Sequence, residues 1–268
     1  MIADLGCGRG ELGRLLLGVG SDAPGHVASR VDGFDADPDQ IEAARGRARA
    51  EGLTGKLRFE EADVRSIPRS DATYDAVVCQ ALLTHVSRPE EVVSEMVRLV
   101  RPGGLVAVIE PDLPGAIQAT DDRHQSDLLR AGLLRRLETA TQGAARRGLG
   151  SWDAAATADT LLESAGLVET HTRTEEGLLR LTPPYSPSEE QVRAALLSWT
   201  DLDALAAEAA MQRWLSADAF PNGELTVLEE AERRAAESRT EELRRGQWHG
   251  TVACPLVVTV GRRPHSSV

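Results

Sequence analysis

Over the first 110 residues, short apolar runs alternate with stretches of amphipathic helical spacing. Runs at 2–5 (IADL), 31–35 (VDGFD), 57–60 (LRFE), 74–79 (YDAVVC) and 104–110 (GLVAVIE) predict strands. Apolar residues at helical intervals over 11–18, 38–51 and 89–100 predict helices between them. The second helix opens on Asp37 as N-cap with Pro38 at its first position, and Gly52 stops it. Ser87, Pro89 and Glu90 give the third a capping-box spacing, and Pro102 and Gly103 end it. Strand, helix and strand repeated in this way predict parallel pairing with right-handed crossovers, a doubly wound α/β sheet.

After Glu110 the rhythm changes. Residues 112–152 show helical spacing around Leu128, Leu129, Leu133, Leu134 and Leu137. "AATADTLLESAGLVETHTRTE" reads as a helix stopped at Gly166 and a strand from about 167 to 173. Residues 186–246 read as helical, with Ser188 and Gln191 at capping-box spacing, one helix through Leu202 to Leu215 and a charged one over 224–245. "CPLVVTVGRR" reads as a closing strand. The expected division is a core over 1–111, a helical insertion over 112–152 and a core helix and strand over 153–177. A helical cap over 178–252 and a final core strand over 253–263 complete it.

Composition narrows the partners. The formal net charge of −12 repels phosphate backbones, so no nucleic-acid partner is expected. The arginine doublets at 135–136, 146–147, 233–234 and 244–245 are interleaved with Glu and Ala, as on solvated helix faces. Cys7, Cys79 and Cys254 are scattered without metal-ligand spacing, so neither a metal site nor a disulfide framework is expected. No leader pattern is visible and no apolar run approaches the roughly 20 residues of a membrane span. A cytoplasmic protein without a membrane partner, monomeric or homodimeric, is the expectation. Trp152, Trp199, Trp214 and Trp248 all lie past residue 150, where they suit either an apolar pocket wall or the gaps of a small core.

The first strand runs into "DLGCGRGELG", and two ligands fit it. Gly8, Gly10 and Gly13 follow the dinucleotide spacing G-x-G-x-x-G, while Asp4, Gly6, Gly8 and Gly10 read as D-x-G-x-G-x-G. In a doubly wound sheet this turn lies at the ligand-binding edge, and the next helix offers its N-terminal amides to an anionic group. A pyrophosphate or the carboxylate of S-adenosylmethionine (SAM) meets that description. Asp4 favours the second, because a carboxylate there repels a pyrophosphate and attracts an ammonium. Asp35, ending the second strand, is placed for ribose hydroxyls in either case. Asp37 is the neighbouring alternative.

Further along come "EADV" at Glu61–Val64, "YDAVV" and "RLVRPGGLVAVIE". With D-L-G-C-G-R-G and G-F-D-A-D, these ordered elements make the chain resemble a class I SAM-dependent methyltransferase of the small-molecule, UbiE-like kind. The resemblance covers residues 1–110 well and continues loosely through "LLESAGLVETHT" and "PLVVTVGRR". It implies a Rossmann-like seven-stranded, mostly parallel sheet with one antiparallel strand, plus helical cap insertions. It implies SAM as cofactor, with Gly6, Cys7, Gly8 and Gly10 under the methionine and ribose and Asp4 near the amino group. Asp35 and Ala36 would lie at the ribose, Asp63 and the Val64 amide at adenine, and Gln80 near the sulfonium. Such proteins carry a helix or two before the glycine turn, whereas here Met1 nearly opens the strand. An upstream segment or the two insertions would cover the site.

Methyl transfer needs a base only if the acceptor must lose a proton. His85 is the candidate catalytic residue, with Glu110, Asp112, His124 and Tyr185 as further candidates. Glu110 suits either a substrate hydroxyl or the capping of a turn. The expected activity is methyl transfer to a small-molecule acceptor by in-line displacement. An NAD(P)-dependent oxidoreductase is one alternative, although Lys56 is the only lysine and no Tyr-x-x-x-Lys is present. A non-catalytic SAM-binding protein is the other.

Overall fold

The computed structural model describes residues 1–19, 27–147, 150, 153–198, 215–216, 219–220, 223–253 and 255–265. Trp152, Trp199, Trp214 and Cys254 lie outside the described residues, as does most of the helix expected over Leu202 to Leu215. The first elements are β1 (Ile2–Leu5), α1 (Glu11–Leu16), β2 (Val31–Asp35), α2 (Pro38–Ala50), β3 (Leu57–Glu61) and β4 (Tyr74–Gln80). A 3-10 turn at Leu83–His85, α3 (Pro89–Leu99), β5 (Val100–Pro111), α4 (Leu113–Ala119), β6 (Asp121–Asp122) and α5 (Asp127–Arg146) follow. The remainder is α6 (Ala154–Ser164), β7 (Val168–Glu175), β8 (Leu178–Leu181), α7 (Pro187–Ser198), α8 (Glu224–Arg244), β9 (Gly250–Ala253) and β10 (Leu256–Arg262).

The chain divides into two units. The first holds Met1–Pro111, Ala154–Thr174 and Val257–Val268, and the second holds Asp112–Asp153 and Glu175–Leu256.

In the first unit, seven strands form one sheet in the order β3-β2-β1-β4-β5-β10-β7, mostly parallel with one antiparallel pair. β1 pairs in parallel with both β2 and β4, so the order reverses there and the switch point falls at its carboxyl end. Alternation along β1 sends Ala3 and Leu5 into one apolar cluster and Ile2 into another, and helices cover both faces. Leu5 and Phe34 are fully buried, each contributing roughly 1.5–3 kcal/mol. The α2 terminus forms as its sequence dictates: Asp37 accepts from the Asp39 amide at 2.8 Å and Pro38 follows it. The start of α3 differs from the capping box expected at Ser87. Pro89 takes the first helical turn, which leaves Arg88 as the N-cap with no side-chain cap bond.

The second unit is not purely helical. β6, β9 and β8 form a three-stranded sheet with antiparallel pairings, so the segment expected as a helical cap over 178–252 contains two strands. The short strands "LLRL" and "GTVA" lie among long helical patterns, with no strand–helix alternation to mark them. The capping box at α7 also lies two residues earlier than Ser188 and Gln191. The Ser186 hydroxyl accepts the Glu189 amide at 3.3 Å, and the Glu189 carboxylate accepts the Ser186 amide at 2.8 Å. Between α5 and α8 the Arg136 guanidinium pairs with both oxygens of Glu232, at 2.6 and 2.9 Å. Trp248 is fully buried beside Leu181, Leu196 and Leu243, so this tryptophan fills a small core.

Candidate functional site

The site begins where β1 stops. Leu5 is the last strand residue, and the chain turns through Gly6, Cys7, Gly8, Arg9 and Gly10 into α1. The Gly6 and Cys7 amides both bond the Phe34 carbonyl, at 2.7 and 3.0 Å, tying the loop to the end of β2. Two glycines are required by their surroundings. Gly10 has φ of 79°, and a Cβ on it would lie 2.5 Å from the Phe59 ring. Gly6, with φ of 69°, would place a Cβ 2.7 Å from Leu82 Cδ1.

Two acidic residues bracket this loop. Asp35 ends β2, where its Oδ2 accepts the Gly8 amide at 2.8 Å and its Oδ1 accepts the Asp37 amide at 3.0 Å. Asp4 lies within β1, 1% exposed, and its Oδ2 has no hydrogen-bond partner. Burial pushes the Asp4 carboxyl up to about 7, and the charge of Asp35 adds to the rise. Burial likewise pushes the Cys7 thiol up, with Asp4 and Asp35 contributing, so this cysteine is no nucleophile. Cys79 is fully buried in β4 and is raised for the same first reason.

Other sequence candidates fall at the same carboxyl edge. Gln80 ends β4 and is half-buried, and Ala36 follows β2 on the surface. Asp63 is exposed after β3, and its carboxylate takes the Arg65 guanidinium at 2.9 and 2.7 Å and the Arg65 amide at 3.0 Å. Those Arg65 hydrogen bonds hold Asp63 down at about 2. The Val64 side chain is buried. His85 is exposed at the end of the 3-10 turn. Glu110 is completely buried and accepts from the Leu82 and Leu83 amides and the Thr84 hydroxyl, so it caps a turn instead of facing a substrate.

The remaining candidates belong to the second unit. Asp112 caps α4 by accepting the Gly115 amide at 2.9 Å. His124 Nε2 stands 3.0 Å from a Glu242 oxygen, and the Tyr185 hydroxyl donates to the Trp248 carbonyl at 2.5 Å.

Sequence reasoning did not single out Phe59, Leu82 or Thr84. Phe59 and Leu82 press on the glycines, and Thr84 bonds Glu110. A lone aromatic on a predicted strand and a leucine in "ALLTHV" carry no local sign of such contacts.

Chemically, the edge joins closely approachable backbone, α1 amides and two neighbouring carboxyl groups. A pyrophosphate placed there meets like charge. A ligand bearing cationic groups as well as a carboxylate finds opposite charge at both ends. The buried Asp4 carboxyl, its Oδ2 beside Gly13 of α1, is therefore a fit by charge to SAM, whose ammonium and sulfonium are both positive.

Known proteins agree. A family described as "Methyltransferase domain" matches residues 2–104. Methyltransferase GfsG of Streptomyces halstedii is 29% identical over 116 residues, which are 43% of this chain and 39% of that protein. Demethylmenaquinone methyltransferase of Thermus thermophilus is 35% identical over 109 residues, 41% of this chain and 46% of that one. The chain thus spans less than half the length of these curated relatives. Among solved structures, the YcgJ protein of Bacillus subtilis superposes with a TM-score of 0.52 at 12% identity, over 99% of this chain and 92% of that one, a likeness of fold. Residues 2–104, with their glycine loop and acidic strand ends, thus match the methyltransferase-domain family.

Proposed function

We propose that this protein transfers a methyl group from SAM to a small-molecule acceptor in the cytoplasm. The observation that carries the reading is the pair of carboxyl groups at the glycine loop: Asp4 buried with an unpartnered oxygen, and Asp35 holding the Gly8 amide. Asp4 favours a cationic nucleoside over a dinucleotide, and Asp35 suits the ribose of either.

In this reading Gly6, Cys7, Gly8 and Gly10 bring backbone against the methionine and ribose. Asp4 acts through the field it sets beneath the loop, since its side chain is sealed from direct contact. Asp35 offers its remaining lone pairs, with Ala36 alongside, to ribose hydroxyls. Asp63 and the Val64 amide face adenine, and Gln80 stands at the sulfonium. His85, exposed at the turn after β4, is the candidate to take a proton from the acceptor. Bound SAM would supply both the electrophilic methyl carbon and the sulfur leaving group. The residues' task is alignment and exclusion of water.

A small acceptor is supported by the acidic surface, which disfavours nucleic acid, and by the demethylmenaquinone enzyme among the relatives. Among the described residues no helix is long and apolar enough to cross a membrane.

Titration calorimetry with S-adenosylhomocysteine and with NADH tests the cofactor, with binding of the first and not the second expected. Incubation with methyl-labelled SAM and a metabolite extract tests transfer and names the acceptor. Homocysteine-adduct binding without labelled product would leave a non-catalytic SAM-binding protein.

A further inference from the structure

Glu110 sits one residue from the end of β5 with no solvent exposure. Its Oε1 accepts the Leu82 amide at 3.0 Å and the Leu83 amide at 2.8 Å, and its Oε2 accepts the Thr84 hydroxyl at 2.7 Å. All three donors follow β4, Leu82 at the cap of the 3-10 turn and Leu83 and Thr84 within it. Amides opening a helical turn have no partner within it, so a buried acceptor here satisfies groups that would otherwise be stranded. The turn also contains a strained residue. Ala81 has φ of 50°, and its amide bonds the Ile109 carbonyl at 2.8 Å, next to Glu110 in the chain.

What this turn does is visible at Leu82. Its side chain occupies the space a Cβ on Gly6 would need, so the turn is the wall against which the glycine loop rests. Gln80 lies at the foot of the same turn. We propose that Glu110 is a positioning residue that sets the spacing between the glycine loop and the turn after β4, and thereby the cofactor cleft. This rests on the SAM reading given above. Geometry, not charge, is the active quantity. A glutamine can accept both amides through its carbonyl oxygen and donate its NH2 to the Thr84 hydroxyl.

The test is S-adenosylhomocysteine affinity by calorimetry for the wild type, Glu110→Gln, Glu110→Ala and Thr84→Val, with a melting curve for each. Loss of the buried acceptor in Glu110→Ala should weaken binding about tenfold or more, and Thr84→Val, which removes one bond, about threefold. Glu110→Gln should stay within about twofold of the wild type, because the three bonds survive. If Glu110→Ala has no cooperative melt, Thr84→Val carries the decision. Folded variants that melt earlier yet bind like the wild type overturn the positioning role and leave the SAM reading standing. So does a Glu110→Gln variant as weak as Glu110→Ala. A wild type that binds no S-adenosylhomocysteine overturns the SAM reading and the positioning role with it.

Discussion

Asp35 Oδ2 accepts the Gly8 amide at 2.8 Å, so the acidic end of β2 holds the tip of the loop that ends β1. One carboxylate thus shapes the loop and faces the position proposed for the ribose. Asp35→Ala should weaken S-adenosylhomocysteine binding by about 1–3 kcal/mol, because hydroxyls and an amide lose a partner in a desolvated cleft. Calorimetry reads the change directly, and an unchanged affinity would remove the ribose assignment.

Asp4 predicts a pH dependence of stability with an unusual sign. Its carboxyl rises from 3.8 in the unfolded chain to about 7 in the folded one, through burial and then Asp35. The folded state therefore holds the proton more tightly. The stability this group contributes is fully present below about 3.8 and is lost as pH climbs through about 7. At roughly 1.4 kcal/mol per unit the loss approaches about 4 kcal/mol. Asp4→Asn should remove it, so the variant's melting temperature should gain on the wild type between pH 5 and pH 8. Parallel melting curves across that range would contradict the assignment.

Gly8 and Gly10 should respond differently to alanine. A Cβ on Gly8 meets nothing within 4 Å and pays only for φ of 49°, whereas one on Gly10 strikes the Phe59 ring at φ of 79°. Gly8→Ala should cost about 1 kcal/mol, and Gly10→Ala about 2–4 kcal/mol with a displaced ring. Urea unfolding of both variants ranks them, and equal losses would deny Phe59 its role.

In the second unit, Trp248 is fully buried and its indole N–H reaches Asp122 at 3.4 Å. Trp248→Ala should cost about 3–5 kcal/mol. Urea unfolding of the wild type and the variant reads the loss, and an unchanged midpoint would deny Trp248 its place in this core.

The sheet was legible because its short β-type runs alternate with helices that carry their own punctuation. Asp37, Pro38 and Gly52 mark α2 within the sequence, and the structure uses each of them. Asp4 and Asp35 were legible as acidic companions of the glycine turn because both stand on predicted strands beside it. The strands β8 and β9 were not, since they lie among long helical patterns with no strand–helix alternation to mark them. Ser186 was passed over for Ser188 because two serines share that turn and only the fold decides which faces the amide of Glu189. Glu110 could be read as a substrate ligand or a turn cap, for its partners stand 26 to 28 residues earlier in the chain.

Phe59, which limits Gly10, projects from β3, and β3 is one of the two margin strands of the seven. A margin strand has hydrogen-bonded neighbours on one side alone and opens more readily than an inner one. The brace behind the ligand loop is therefore drawn from a margin of the sheet and not from its centre. Amide exchange along β3 should slow when a nucleoside fills the loop, giving a gauge of occupancy at a distance from the ligand itself.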